Sequence, residues 1–164
     1  MLRPGGTVLT LLPTPAPRLL LVEADVDVSD ALLRGLRRAG WDVLHAETGS
    51  SALRLKPGFG PDLVLVSLGL PDMDGRQLVA RLTRLADCAV VAMSGLGDDA
   101  RRTVLDSGAL DYFAKPLGMR DMLARLQAAV GRQGAVAADS VDSTDGACGQ
   151  DPGAACAVGQ RNGH

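Results

Sequence analysis

Polar side chains close four short apolar runs. Glu23, and two residues later Asp25, follow Leu-Leu-Leu-Val; Ser67 follows Leu-Val-Leu-Val; Ser94 follows Ala-Val-Val-Ala-Met; Lys115 follows Tyr-Phe-Ala. Ser67 offers a hydroxyl nucleophile, but such an oxygen needs a base to take its proton. Its surroundings, Val66-Ser67-Leu68-Gly69, lack the small-residue elbow of Gly-x-Ser-x-Gly enzymes. His45, the histidine nearest these groups in sequence, sits within a strand-like run, where a packed or surface role is the ordinary one. No phosphate-cradling loop ending in Lys-Ser or Lys-Thr follows the first run, nor does a Gly-x-Gly-x-x-Gly turn, so the common nucleotide-binding classes drop out. Cys88, Cys148 and Cys156 are too few and too scattered for a disulfide framework or a zinc site, which points to a reducing, cytoplasmic setting.

The elements that must hold these groups follow from the apolar pattern. Of the 164 residues, 46% are hydrophobic, enough for a sizeable core. Only 2% are aromatic and the net charge is −2, which disfavours both a base-stacking platform and a basic nucleic-acid footprint. No apolar run approaches the ~18 residues of a membrane span. Residues 1–17 hold four prolines and no acidic group and read as a flexible arm; residues 132–164 are rich in Gly, Ala, Ser and Asp and read as a disordered tail. Between them, residues 18–131 form one domain. Its runs Leu19–Val22, Trp41–His45, Leu63–Val66, Ala89–Met93 and Tyr112–Ala114 lack polar alternation, as strands buried on both faces do. Amphipathic stretches separate them: one capped by Ser29 and ending at Gly40, then Thr48–Leu55, Gly75–Leu85, Asp98–Ser107 and Met119–Val130. Five strands alternating with five helices predict an α/β fold, a doubly wound parallel sheet with helices on both faces. Ligands of such sheets sit beyond the carboxyl ends of the strands, which is where Glu23, Ser67, Ser94 and Lys115 fall.

Four blocks, Leu-Leu-Leu-Val-Glu (19–23), Pro-Asp-Leu-Val-Leu-Val (61–66), Gly-Leu-Pro-Asp-Met-Asp-Gly (69–75) and Gly-Ala-Leu-Asp-Tyr-Phe-Ala-Lys-Pro-Leu (108–117), resemble the receiver domain of two-component response regulators. The likeness is strongest to the subfamily that carries a winged-helix output domain, and it covers residues 18 to about 132. It implies the flavodoxin-like, CheY-like version of the fold. In that family an aspartate ending strand three takes a phosphoryl group from a histidine kinase. Two acidic residues ending strand one hold Mg²⁺ together with that aspartate and a backbone carbonyl. A Ser or Thr and a Lys bind the phosphoryl oxygens. Glu23, Ser94, Tyr112 and Lys115 match this pattern, and the carbonyl of Gly69 takes the third metal-ligand place. The acceptor position, however, is Ser67, and the second acidic position is Ala24.

Mg²⁺ needs carboxylate oxygens in octahedral array. Here Glu23 stands alone against Lys115, so the Mg²⁺ of the family is expected to be lost and no cofactor retained. Without metal or acceptor carboxylate, phosphoryl transfer loses its electrostatic support. Lys115 is then expected to pair with Glu23 and to hydrogen-bond Ser67, turning the pocket into a polar cluster. Asp72 and Asp74 read as turn residues ahead of the third helix. Ser94 and Tyr112 correspond to the family's switch pair, in which the aromatic ring turns inward on phosphorylation; without phosphate, a half-buried tyrosine on an edge strand suffices.

The resemblance also implies a dimer face of helix four, strand five and helix five, carrying Arg101, Asp106, Asp111, Asp121, Arg125 and Arg132, with Arg101–Asp121 and Asp111–Arg132 as cross-dimer pairs. An ordinary charged helix surface explains the same residues equally well. Two readings of function result. One is a non-enzymatic pseudo-receiver acting through protein contacts, with a histidine kinase or another receiver domain as partner and neither nucleic acid nor membrane. The other is a phosphoacceptor that recruits Asp25 for metal and uses a non-standard acceptor. A truncated regulator without output function is a further alternative, because no output domain follows residue 131.

Overall fold

The computed structural model describes residues 15–85, 87–95 and 98–139, with backbone alone at 98 and 133–139. The strands are β1 (Arg18–Val22), β2 (Asp42–Ala46), β3 (Leu63–Ser67), β4 (Ala89–Ser94) and β5 (Asp111–Ala114). Between and after them run α1 (Val26–Arg38), α2 (Gly49–Phe59), α3 (Gly75–Arg84), α4 (Asp98–Asp106) and α5 (Met119–Asp139). All strand pairs are parallel and the order is β2-β1-β3-β4-β5. The direction of winding reverses between β1 and β3, so the crevice for a ligand opens where those two strands end.

Each inner strand feeds two cores. Leu20, Val22, Val64, Val66, Val90 and Ala92 pack on the side of α2, α3 and α4. Leu19, Leu21, Leu63, Leu65, Val91 and Met93 pack on the side of α1 and α5. Successive side chains point to opposite faces, and both faces are covered, which is why these strands read as unbroken apolar runs.

Three helix ends depart from the sequence reading. Asp25, not Ser29, caps α1: its side chain accepts from the Val28 amide at 3.0 Å. Ser29 is buried inside the helix and donates its hydroxyl to the Val26 carbonyl. A carboxylate accepting from an amide of the first turn starts the helix four residues early. The second helix runs past Pro57 to Phe59 instead of stopping at Leu55. Its last turn is anchored by the Lys56 ammonium, 2.6 Å from both Asp87 oxygens, and closed by Gly60, whose φ of +61° is left-handed. The fifth helix continues through residues 132–139, which the sequence suggested were tail. Alanines 135, 137 and 138 favour helix there without needing a packed face. Residues 1–14 of the arm and 140–164 of the tail lie outside the described residues.

Lys56 is 4% exposed, so its pairing with Asp87 matters more than its lone charge. The hydrogen bond from Lys56 holds the Asp87 carboxyl below its ordinary range, while burial pushes the Cys88 thiol up to about 11. At the pocket end, Gly75 opens α3 against the backbone of Leu68: a Cβ there would lie 2.4 Å from the Leu68 Cα.

Two outcomes follow. Gly75→Ala forces backbone apart and is expected to cost about 1–3 kcal/mol in urea denaturation. Because the folded-state pKa of Asp87 is depressed, its stabilising effect is present above the unfolded value near 3.8 and is lost as pH falls through and below it. Melting temperature followed from pH 6 to 2.5 should therefore decline less steeply in Asp87→Asn than in the parent.

Candidate functional site

The carboxyl ends of β1, β3, β4 and β5 bring Glu23, Ser67, Ser94 and Lys115 around one cavity of about 350 Å³, with Gly69 and Gly95 completing its wall. Glu23 is 2% and Ser67 3% exposed. Both Glu23 oxygens are engaged. Oε2 lies 2.7 Å from the Lys115 Nζ, and Oε1 accepts from the Asp25 amide at 3.0 Å. The Glu23 backbone is fixed too: its amide donates to the Ala46 carbonyl, and its own carbonyl accepts from the Nε2–H of His45 at 2.8 Å. Lys115 also reaches Ser67, Nζ to Oγ 3.4 Å, and its amide donates to the Ser94 carbonyl. The peptide bond between Lys115 and Pro116 is cis. The pairing of Lys115 with Glu23 and Ser67 is as the sequence suggested.

His45 was not singled out by its sequence context as part of the site. The signal lay in register: Leu21 pairs with His45 and Val22 with Ala46, so the β2 chain arrives beside the turn after β1. A side chain there reaches the backbone that carries Glu23.

Asp25 stands outside the cavity. It is exposed, and its carboxylate is occupied as the α1 cap. Ala24 contributes no polar group. Asp72 and Asp74 do more than shape a turn. Asp72 accepts from the amides of Gly49 and Ser50 and so caps α2 from a different loop. Asp74 caps α3 and pairs with Arg76. Hydrogen bonds from Ser50 hold the Asp72 carboxyl below its usual range, and those from Arg76 do the same for Asp74. These carboxylates line a larger groove of about 1030 Å³ beside α4. Their bonds are already committed to helix ends, so the smaller cavity, where a hydroxyl, a carboxylate and an ammonium meet, is the chemical site. Among the described residues no three His, Cys, Asp or Glu side chains come together as a metal-holding group.

Beyond the cavity the structure makes two corrections. Tyr112 is not half-buried: it is 4% exposed, within the core on the α4 side and opposite Ala92. A small partner on the neighbouring strand leaves room for the ring. Asp111, expected to meet Arg132 of a second copy, is engaged within its own chain by a two-pronged pair with Arg125. Arg125 lies about two turns nearer the start of α5 than Arg132, and its fork reaches β5 directly. Arg101, Asp106, Asp121 and Arg132 are exposed.

A five-stranded, doubly wound domain with a Lys–acid–hydroxyl pocket at the ends of β1, β3, β4 and β5 has the architecture of a signalling receiver. Comparison with known proteins agrees. The response regulator receiver domain family matches residues 19–127, and the chain belongs to that family. It is similar to the transcriptional regulatory protein KdpE of Mycobacterium tuberculosis (strain ATCC 25618 / H37Rv), 39% identical over 119 residues, covering 72% of this chain and 53% of that protein. It is also similar to PrrA of Mycobacterium leprae (strain TN), 35% identical over 132 residues, covering 78% of this chain and 56% of that one. The chain thus spans about half the length of these regulators. Among solved structures, a CheY-like receiver domain protein from Methanospirillum hungatei JF-1 superposes with a TM-score of 0.70 at 25% identity, covering 74% of this chain and 98% of the other. A response regulator from Chloroflexus aurantiacus J-10-fl gives 0.66 at 30% identity, covering 71% and 99%. Among the described residues no helix is long and apolar enough to cross a membrane.

The geometry makes Lys115 the counter-charge of a buried acid. Lys115→Met leaves the Glu23 carboxylate without its cation and is expected to destabilise the fold by about 1–3 kcal/mol in chemical denaturation. Adding Glu23→Gln should recover part of that loss, because the double variant buries no lone charge.

Proposed function

We propose that this receiver domain works in two-component signalling as a contact module, independent of phosphorylation. The observation that carries this reading is the identity and engagement of the groups at the ends of β1 and β3: Ser67 stands where the family's acceptor carboxylate would be, and Glu23 is neutralised by Lys115. The cavity has one carboxylate and one ammonium, a formal charge of zero. Mg²⁺ gives up its water reluctantly and is held by carboxylates, so this donor set does not fit it. Among the described residues Ser67 has no free base beside it in the cavity: Glu23 is bound to Lys115, and His45 donates to a backbone carbonyl. A hydroxyl without a free base beside it, in a pocket whose donor set does not suit Mg²⁺, makes a poor phosphoryl acceptor. Recruitment of Asp25 as a metal ligand is disfavoured by its role as the α1 cap.

Receiver domains act through histidine kinases and other proteins of the phosphorelay, and a protein partner of that kind is the one proposed here. Self-association through α4, β5 and α5 remains part of the proposal in reduced form. The Arg101–Asp121 pair is available to it, whereas Asp111 would first have to leave Arg125. Exposed pairs of this sort contribute only ~0–1 kcal/mol each, so they set register more than affinity.

The test is calorimetric titration with Mg²⁺, together with mass spectrometry after incubation with acetyl phosphate. The parent chain is expected to show neither binding nor an adduct of about +80 Da, the mass of one phosphoryl group. Ala24→Asp with Ser67→Asp should regain Mg²⁺ binding, since it restores two carboxylates to the rim of an otherwise intact scaffold. Metal binding or an adduct in the parent would overturn the proposal.

A further inference from the structure

We infer that the surface made by α4, β5 and α5 is held permanently in one arrangement, with the Tyr112 ring as a fixed wedge beneath α4 and Arg125 as a brace across β5. This presupposes the contact-signalling role proposed above and specifies what a partner would meet: one constant surface, occupied according to partner concentration and not according to the state of the pocket.

The wedge is a matter of volume. Tyr112 shares its buried cluster with Val90, Ala92, Val104 and Ala109, and Ala100 packs against the same cluster. Three of these five residues are alanines, and Ala92 is the residue directly across from Tyr112 in register. Short side chains cannot extend into the space the ring fills. Turning the ring outward would leave a ring-sized void in this cluster and place an aromatic face in water, and close-packed interiors tolerate neither.

The brace acts on the backbone that carries the ring. From α5, the Arg125 Nε donates to Asp111 Oδ2 at 2.8 Å, and Nη2 donates to Asp111 Oδ1 and, at 3.1 Å, to the Tyr112 carbonyl. The guanidinium also lies 4.4 Å from the centre of the Phe113 ring. Asp111 in turn accepts from the Tyr112 amide at 2.8 Å. One side chain therefore grips three consecutive residues of β5 with Tyr112 at the centre. At the end of the strand the Lys115 amide is bonded to the Ser94 carbonyl, and the Lys115 ammonium is tied to Glu23. A signal can shift such a surface only by binding one arrangement better than another. The pocket, neutral and internally paired, offers no such preference.

Tyr112 is the only tyrosine of the chain, so protein labelled in its tyrosine ring gives a single spin system. One set of ring signals is expected, without relaxation dispersion on the microsecond-to-millisecond scale, and unchanged by Mg²⁺ with beryllofluoride. In Arg125→Lys, which cannot reproduce the fork or the stacked plane, amide exchange across residues 111–114 should quicken at least tenfold (about one decade). A second set of ring signals, or dispersion from a swinging ring, would overturn the wedge; unchanged exchange in Arg125→Lys would overturn the brace. Mg²⁺ binding by the parent chain would instead remove the contact-signalling role itself. A mobile Tyr112 in a protein blind to Mg²⁺ would sink this inference alone.

Discussion

The contact between the Lys115 ammonium and the buried Glu23 carboxylate governs the chemistry left to this pocket. A carboxylate this far from water must be matched by a cation or by hydrogen bonds, and here it has both. Lys115 takes one oxygen and the Asp25 amide the other, so each oxygen of Glu23 already has a partner. The same lysine touches Ser67. One flexible side chain thus links strand ends β1, β3 and β5 into a closed polar cluster. Ion pairs of this type add little net stability over an apolar replacement. Their value is that they define one geometry.

That geometry is built by groups that do no chemistry themselves. Asp72 caps α2 and Asp74 caps α3, so the second half of the loop between β3 and α3 is tied to backbone amides. Gly75 lets α3 begin hard against Leu68, and the wall of the cavity at Gly69 lies within this clamped stretch. His45 fixes the Glu23 carbonyl from the neighbouring strand. The acidic residues near the pocket are therefore mostly structural, and a tally of carboxylates in the region overstates the charge available to a ligand.

The strands were legible in the sequence to within a residue or so, because burial on both faces leaves an unbroken apolar run bounded by polar groups. The pocket was legible for a related reason: the polar residue ending each run must lie at the carboxyl edge of the sheet. What escaped depends on through-space partners. Ser29 has the right chemistry for a cap, but the carboxylate of Asp25 comes first and wins. Pro57 should end a helix, yet Lys56 finds Asp87 on a distant loop and the turn survives. Tyr112 was read as half-buried because an edge strand has one open side; the space beside Ala92 and under α4 was not visible in one dimension. Asp111 was assigned to a second copy because its partner on the same chain lies fourteen residues away, across a turn and into α5.

The length of α5 has a mechanical consequence. Among the residues whose burial is described, Ala129 is the last one buried against the sheet, and the helix proceeds to Asp139. At 1.5 Å per residue, the stretch from Gly131 to Asp139 adds about 13 Å of helix axis. A stalk of that kind carries orientation as well as distance. Anything joined to its far end would inherit the tilt of α5, and because Arg125 ties that helix to β5 the tilt would be a constant one.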